Sequence, residues 1–242
     1  MVAEADLPIF FIELGTIMLD FTLGLVLLFK TIKLAPSPPR RYYKGVVFFF
    51  FTHSVCRTVF FVRGYFIEKT NNATRVPMFD IGTILGLLSV LFLVFVIETT
   101  IVTQTRKIFT IMGFCALGIM VLDFFIRLTV NGRRLLLTVQ NIAIPILAAF
   151  IIAVYLRALL KSTGRVRTNA MVMLIAIVLL ALSELANSDI AGNLLGRDLA
   201  RYLGPSVMAA ALILLYYAVT NLSIWKKEKI SENEPAPSNP RE

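Results

Sequence analysis

The chain has 242 residues, 57% of them hydrophobic and 16% charged, and a formal net charge of +9. Soluble domains run at roughly 45–50% apolar and about 25% charged, and disordered chains need low hydrophobicity, so the composition excludes both. The positive charge is better explained by basic loops beside a membrane than by nucleic acid, which is not expected as a partner.

A bilayer crossing takes about 20 apolar residues. Seven stretches meet that length, near 9–29, 45–67, 79–101, 108–130, 135–157, 169–188 and 203–225. The fold class is therefore all-α: a polytopic membrane protein with seven transmembrane helices and short loops, the lipid bilayer being its first partner. Runs such as VVFFFF at 46–51 and LLSVLFLVFVI at 87–97 are continuous, whereas a transmembrane barrel would alternate. Ahead of the first span, MVAEADLP carries Glu4 and Asp6 where a cleaved leader needs a basic region, so none is expected. From Trp225 the sequence turns polar with three prolines. Residues 226–242 are expected to form a disordered cytoplasmic tail, with Trp225 and Lys226 as an interfacial anchor.

Orientation follows from lysine and arginine. With the N-terminus outside, the cytoplasmic segments hold 14, from Lys30 to Lys229, and the outer segments 8, from Arg63 to Arg201. The bias predicts N-out/C-in and a multi-pass protein of the plasma membrane. The sequon Asn72-Ala73-Thr74 then falls in an outer loop, making Asn72 a glycosylation candidate.

Several chemistries are missing. The span 203–225 has no lysine to hold retinal as a Schiff base, and His53 is the only histidine, which excludes bis-histidine haem and two-histidine zinc motifs. Cys56 and Cys115 both sit in spans, so no outer-loop disulfide is expected. No nucleophile elbow or P-loop occurs. Neither an enzyme nor a cofactor is expected.

Ionisable groups inside spans are costly and mark functional sites. At 1.5 Å per residue, Asp20 and Arg57 lie within about 2 Å of the midplane. They are expected to form an intramembrane ion pair. Glu13 of the first span, Asp123 of the fourth, Gln140 and Asn141 of the fifth and Glu184 of the sixth share a depth roughly 7–9 Å outward. That common depth predicts an outward-facing polar cavity, with these five residues binding a small-molecule ligand. The alternative is a set of interhelical bonds that only hold the bundle together. Asp123 and Arg127 are spaced to neutralise each other, and Pro145 can kink the fifth helix beside Gln140 and Asn141. His53 reads as a hydrogen-bonding core residue, Glu98 can reach Arg106 or Lys107, and the seventh helix is expected to pack through Ala209, Ala210 and Ala211.

The later helices carry RTNAMVMLIAIVLLALSEL at 167–185, an outer loop NSDIAGNLLGRDLARY, and LGPSVMAAALILLYYAV at 203–219. This resembles the seven-helix N-terminal sensor region of prokaryotic histidine kinases, the match resting on Leu203, Gly204, Pro205, Tyr217 and Ala218. The resemblance implies a sensor coupled to a cytoplasmic output domain. The 17 residues after Trp225 are too few for a kinase domain, so output is expected to pass through a separate cytoplasmic signalling protein or a homo-oligomer. The expected function is thus a receptor-like sensor. A small-solute transporter with its site at Asp20 and Arg57, or a structural subunit of a membrane complex, is the alternative.

Overall fold

The computed structural model describes residues 7–34, 37–67, 71–126, 129–186 and 196–221. Every regular element among them is helical, in the order α1 (Leu7–Ile32), α2 (Pro38–Tyr65), α3 (Asn72–Thr100), a 3-10 turn (Thr103–Thr105), α4 (Ile108–Ile126), α5 (Thr129–Lys161), α6 (Gly164–Ala186) and α7 (Arg197–Thr220). All seven α-helices are long and apolar enough to cross a membrane.

The helix ends follow local chemistry. Pro8 stands in the first turn of α1 and Pro38 and Pro39 open α2 after Ser37, positions where a missing N–H costs nothing. α3 begins seven residues ahead of the apolar run at 79–101. The Asn71 side chain caps it by accepting from the Thr74 N–H at 3.3 Å, and Pro77 is absorbed in the second turn. α5 likewise runs on through Pro145 as a continuous helix. Between α3 and α4, Arg106 and Lys107 both take left-handed backbone (φ 50° and 65°), which closes the turn tightly. Residues 226–242 and the Trp225–Lys226 anchor lie outside the described residues.

Successive helices pack side by side, α7 returns to α1, and α3 also touches α5, so the seven form a closed ring. α1 shows how the pattern works. Its buried positions, Ile9, Thr16, Asp20, Gly24, Leu27 and Thr31, recur at helical spacing and make one stripe, while Phe11, Met18, Phe21 and Phe29 face outward. A soluble helix would reverse that polarity. Two glycines set interhelical distances. A Cβ on Gly45 would lie 1.9 Å from Val96, and one on Gly113 would lie 2.1 Å from Leu91, so α2–α3 and α3–α4 approach only because these positions are bare. The core between them is Phe50, Leu87, Leu91, Met120, Leu147 and Leu212. In α7 Ala211 is fully buried, Ala209 half-buried and Ala210 exposed, so one of the three alanines carries the close packing.

Candidate functional site

The charged side chains of α1, α2, α6 and α7 converge on one network. α2 places His53 and Arg57 four residues apart, on one face. His53 Nδ1 and Asp20 Oδ2 share a hydrogen bond of 2.6 Å, with Asp20 only 1% exposed. The imidazole lies parallel to the Phe49 ring, centroids 5.3 Å apart, which holds its plane. One turn farther along α2, Arg57 Nη1 reaches Glu184 Oε1 of α6 at 3.6 Å. Arg57 also acts electrostatically on Asp20 and Glu13, and Arg201 of α7 on Glu13.

The expected Asp20–Arg57 ion pair is therefore corrected. Asp20 pairs with His53, and Arg57 with Glu184. The reason is reach. A Cβ on Gly24 would lie 3.1 Å from Phe50, so α1 and α2 pack closely one turn from Asp20, and the longer guanidinium extends across to α6. Depth alone, read from residue counts, could not separate two cations one turn apart.

Of the five residues expected to line an outer cavity, the network holds Glu13 and Glu184. Among the described residues no hydrogen bond or ion pair joins Asp123, Gln140 or Asn141 to them. Asp123 is buried in α4, its Oδ1 without a hydrogen-bond partner among the described residues. Gln140 is half-buried, and Asn141 stands exposed beside Ile142. The expected Asp123–Arg127 pair lies outside the described residues, as does the side chain of Asn72, whose backbone opens α3. Within the network the exposure is graded: the side chains of His53 and Arg57 are 10% and 13% exposed, that of Glu184 58%. Glu184 is thus the most exposed member of the Arg57–Glu184 and Asp20–His53 pairs.

Two groups outside this network differ from what the sequence suggests. Glu98 does not pair with Arg106 or Lys107. Its carboxylate accepts from the Thr110 N–H at 2.7 Å, the Phe109 N–H at 3.2 Å and the Thr105 hydroxyl at 2.7 Å, capping α4. A helix N-terminus offers unpaired N–H groups to a carboxylate within reach, while Arg106 and Lys107 are exposed. The second is a buried pair of phenols, Tyr42 and Tyr155, 3.0 Å apart between α2 and α5. A nearby apolar cavity of about 30 Å³, lined by Ile101, Tyr155, Ala158, Asn169 and Met173, has room for one or two waters and no larger ligand. The Asn169 amide donates to the Asn221 carbonyl, tying α6 to the end of α7.

Chemically, the network has no nucleophile set against a base. Its single thiol, Cys56, donates to the Gly82 carbonyl at 3.2 Å. Among the described residues no three histidine, cysteine or carboxylate side chains gather as metal ligands. What the arrangement does is tie α1 to α2 and α2 to α6 through polar and charged side chains. Comparisons of the chain with protein-family models, curated proteins and solved structures give no match.

Proposed function

We propose that this protein is a receptor-like sensor of the plasma membrane, N-out/C-in, and not an enzyme. A small molecule met from outside biases the bundle between two packings, and a separate cytoplasmic or membrane partner reads the outcome. The reading is supported by one observation above the others: Arg57 of α2 and Glu184 of α6 pair across the ring, between helices that are not neighbours in sequence. A ligand that competes for either charge has a different affinity for the paired and unpaired packings, which is the requirement for a population shift. The α1–α2 unit is locked by Asp20 and His53, so the Arg57–Glu184 contact is the weaker joint. The resemblance of the last helices to histidine-kinase sensor regions points the same way.

The test is a distance measurement. Spin labels at Lys44 and Arg165, both exposed at the opposite ends of α2 and α6, report how those ends sit. Glu184→Gln is expected to shift or broaden their distance distribution in bilayers. An unchanged distribution would remove the coupling on which the sensor reading depends. One feature favours the transporter alternative: Asp20 Oδ1 is buried near the midplane without a hydrogen-bond partner among the described residues. Uptake of a cation or proton into vesicles, abolished by Asp20→Asn, would decide for it.

A further inference from the structure

The alternating course of the helices brings the α1–α2, α3–α4 and α5–α6 turns and the end of α7 to one face. Side-chain contacts bind them there: Lys30 lies 5.1 Å over the Tyr216 ring, and Glu98 caps α4 across the α3–α4 turn. Helices α3 to α6 share one sector of that face, each touching the next. It presents Arg106, Lys107, Arg157, Lys161, Arg165 and Arg167, all six exposed. The only acid in sequence between Asp80 and Asp123 is Glu98, and none lies between Asp123 and Glu184. Glu98 is 1% exposed and already saturated by α4. This sector therefore has six exposed cations and no exposed carboxylate of its own to balance them.

The surroundings define the counter-charge. Ile108 next to Lys107 is 62% exposed and Leu160 next to Lys161 is 76% exposed. Bases alternate with large apolar side chains at the ends of membrane-length helices, where stems lie along acyl chains and charged heads reach the interface. An acidic protein would match the charge and leave the apolar side chains unmatched. A lipid matches both. The consecutive left-handed residues Arg106 and Lys107 present two cations from one tight turn, which Glu98 holds through Thr105, Phe109 and Thr110.

We infer that the α3–α6 sector of the basic face is a docking surface for anionic phospholipid headgroups, with the phosphates on the α3–α4 and α5–α6 turns and the chains on Ile108 and Leu160. This goes beyond the sensor reading and stands independently of it.

The test reads lipid at the patch itself. Ile108→Trp in a Trp225→Phe background makes the reporter the only indole in the full chain. The protein is reconstituted with brominated phosphatidylglycerol or brominated phosphatidylcholine, and quenching gives the relative affinity. Each base near an anionic surface is worth about fivefold, so a preference of about fivefold or more for the anionic lipid is expected, falling as salt is raised. Arg106→Gln/Lys107→Gln/Arg157→Gln/Lys161→Gln/Arg165→Gln/Arg167→Gln should bring the ratio near one, while Arg106→Lys/Arg157→Lys/Arg165→Lys/Arg167→Lys should keep it. Equal quenching by the two lipids, a preference that survives the neutral variant, or its loss in the charge-preserving variant would each overturn the inference. Shielding of the indole by polyglutamate without any lipid preference would assign the face to an acidic protein instead.

Discussion

Asp20 and His53 meet 2.6 Å apart between α1 and α2, and with Arg57 one turn away the imidazole, not the guanidinium, takes the buried carboxylate. A buried pair is weak evidence for stability, but removing one partner strands the other. His53→Leu is expected to cost about 3–5 kcal/mol in thermal unfolding in detergent. Asp20→Asn/His53→Leu should recover a large part of it. Strict additivity of the two single losses would show that the residues do not interact.

The Arg57–Glu184 pair should behave differently, because more than half of the Glu184 side chain is exposed. A double-mutant cycle with Arg57→Gln and Glu184→Gln is expected to give a coupling of about 0.2–1 kcal/mol, reduced further by salt. A coupling as large as that of Asp20 and His53 would mean Glu184 is drier than its exposure indicates.

Glu98→Ala removes the acceptor of the Phe109 and Thr110 N–H groups and of the Thr105 hydroxyl. Leaving buried donors unsatisfied costs about 1–3 kcal/mol. Hydrogen exchange at residues 105–111 should rise with little change in α1 or α7. Protection that stays as in the wild type would show that the cap is dispensable.

Gly113→Ala drives a methyl to within 2.1 Å of Leu91. Overpacking of this kind costs about 1–3 kcal/mol, so the midpoint of thermal unfolding should fall. Gly118→Ala, five residues along the same helix with open space at its Cβ, is the control and should leave it unchanged or raise it.

Orientation is open to direct measurement. In a background without Cys56 and Cys115, a cysteine at Ala73 should label from outside intact cells and one at Ser37 should not. Labelling at Ser37 alone would reverse the N-out/C-in reading.

The seven helices were legible because bilayer-length apolar runs need no tertiary information. Their ends were less so. The capping Asn71 and the tolerated Pro77 extend α3 past the point where hydropathy stops. The polar residues divide by the same logic. Depth along a helix can be counted, which is why Glu13, Asp20, Arg57 and Glu184 stand out in the sequence. Azimuth cannot be counted without knowing the neighbour, which is why Asn141, on the exposed face of α5, shares their depth without joining them, and Arg201 joins them without standing out. Glu98 shows a third limit. Sequence proximity to Arg106 and Lys107 suggested salt bridges, but backbone N–H groups at a helix start are invisible in a list of side chains.

The contact that closes the ring spans most of the chain. The Thr16 hydroxyl donates to the Pro205 carbonyl at 3.3 Å across 189 residues, whereas Asp20 finds His53 after 33. At a synthesis rate of roughly 5–20 residues per second, α1 waits about 10–40 s for α7 but only about 2–7 s for its charge partner on α2. The midplane carboxylate is thus matched as soon as the first hairpin enters the bilayer, long before the bundle can close around it. In a first hairpin lacking His53, Asp20 would be left with only the longer-range attraction of Arg57 on the same α2.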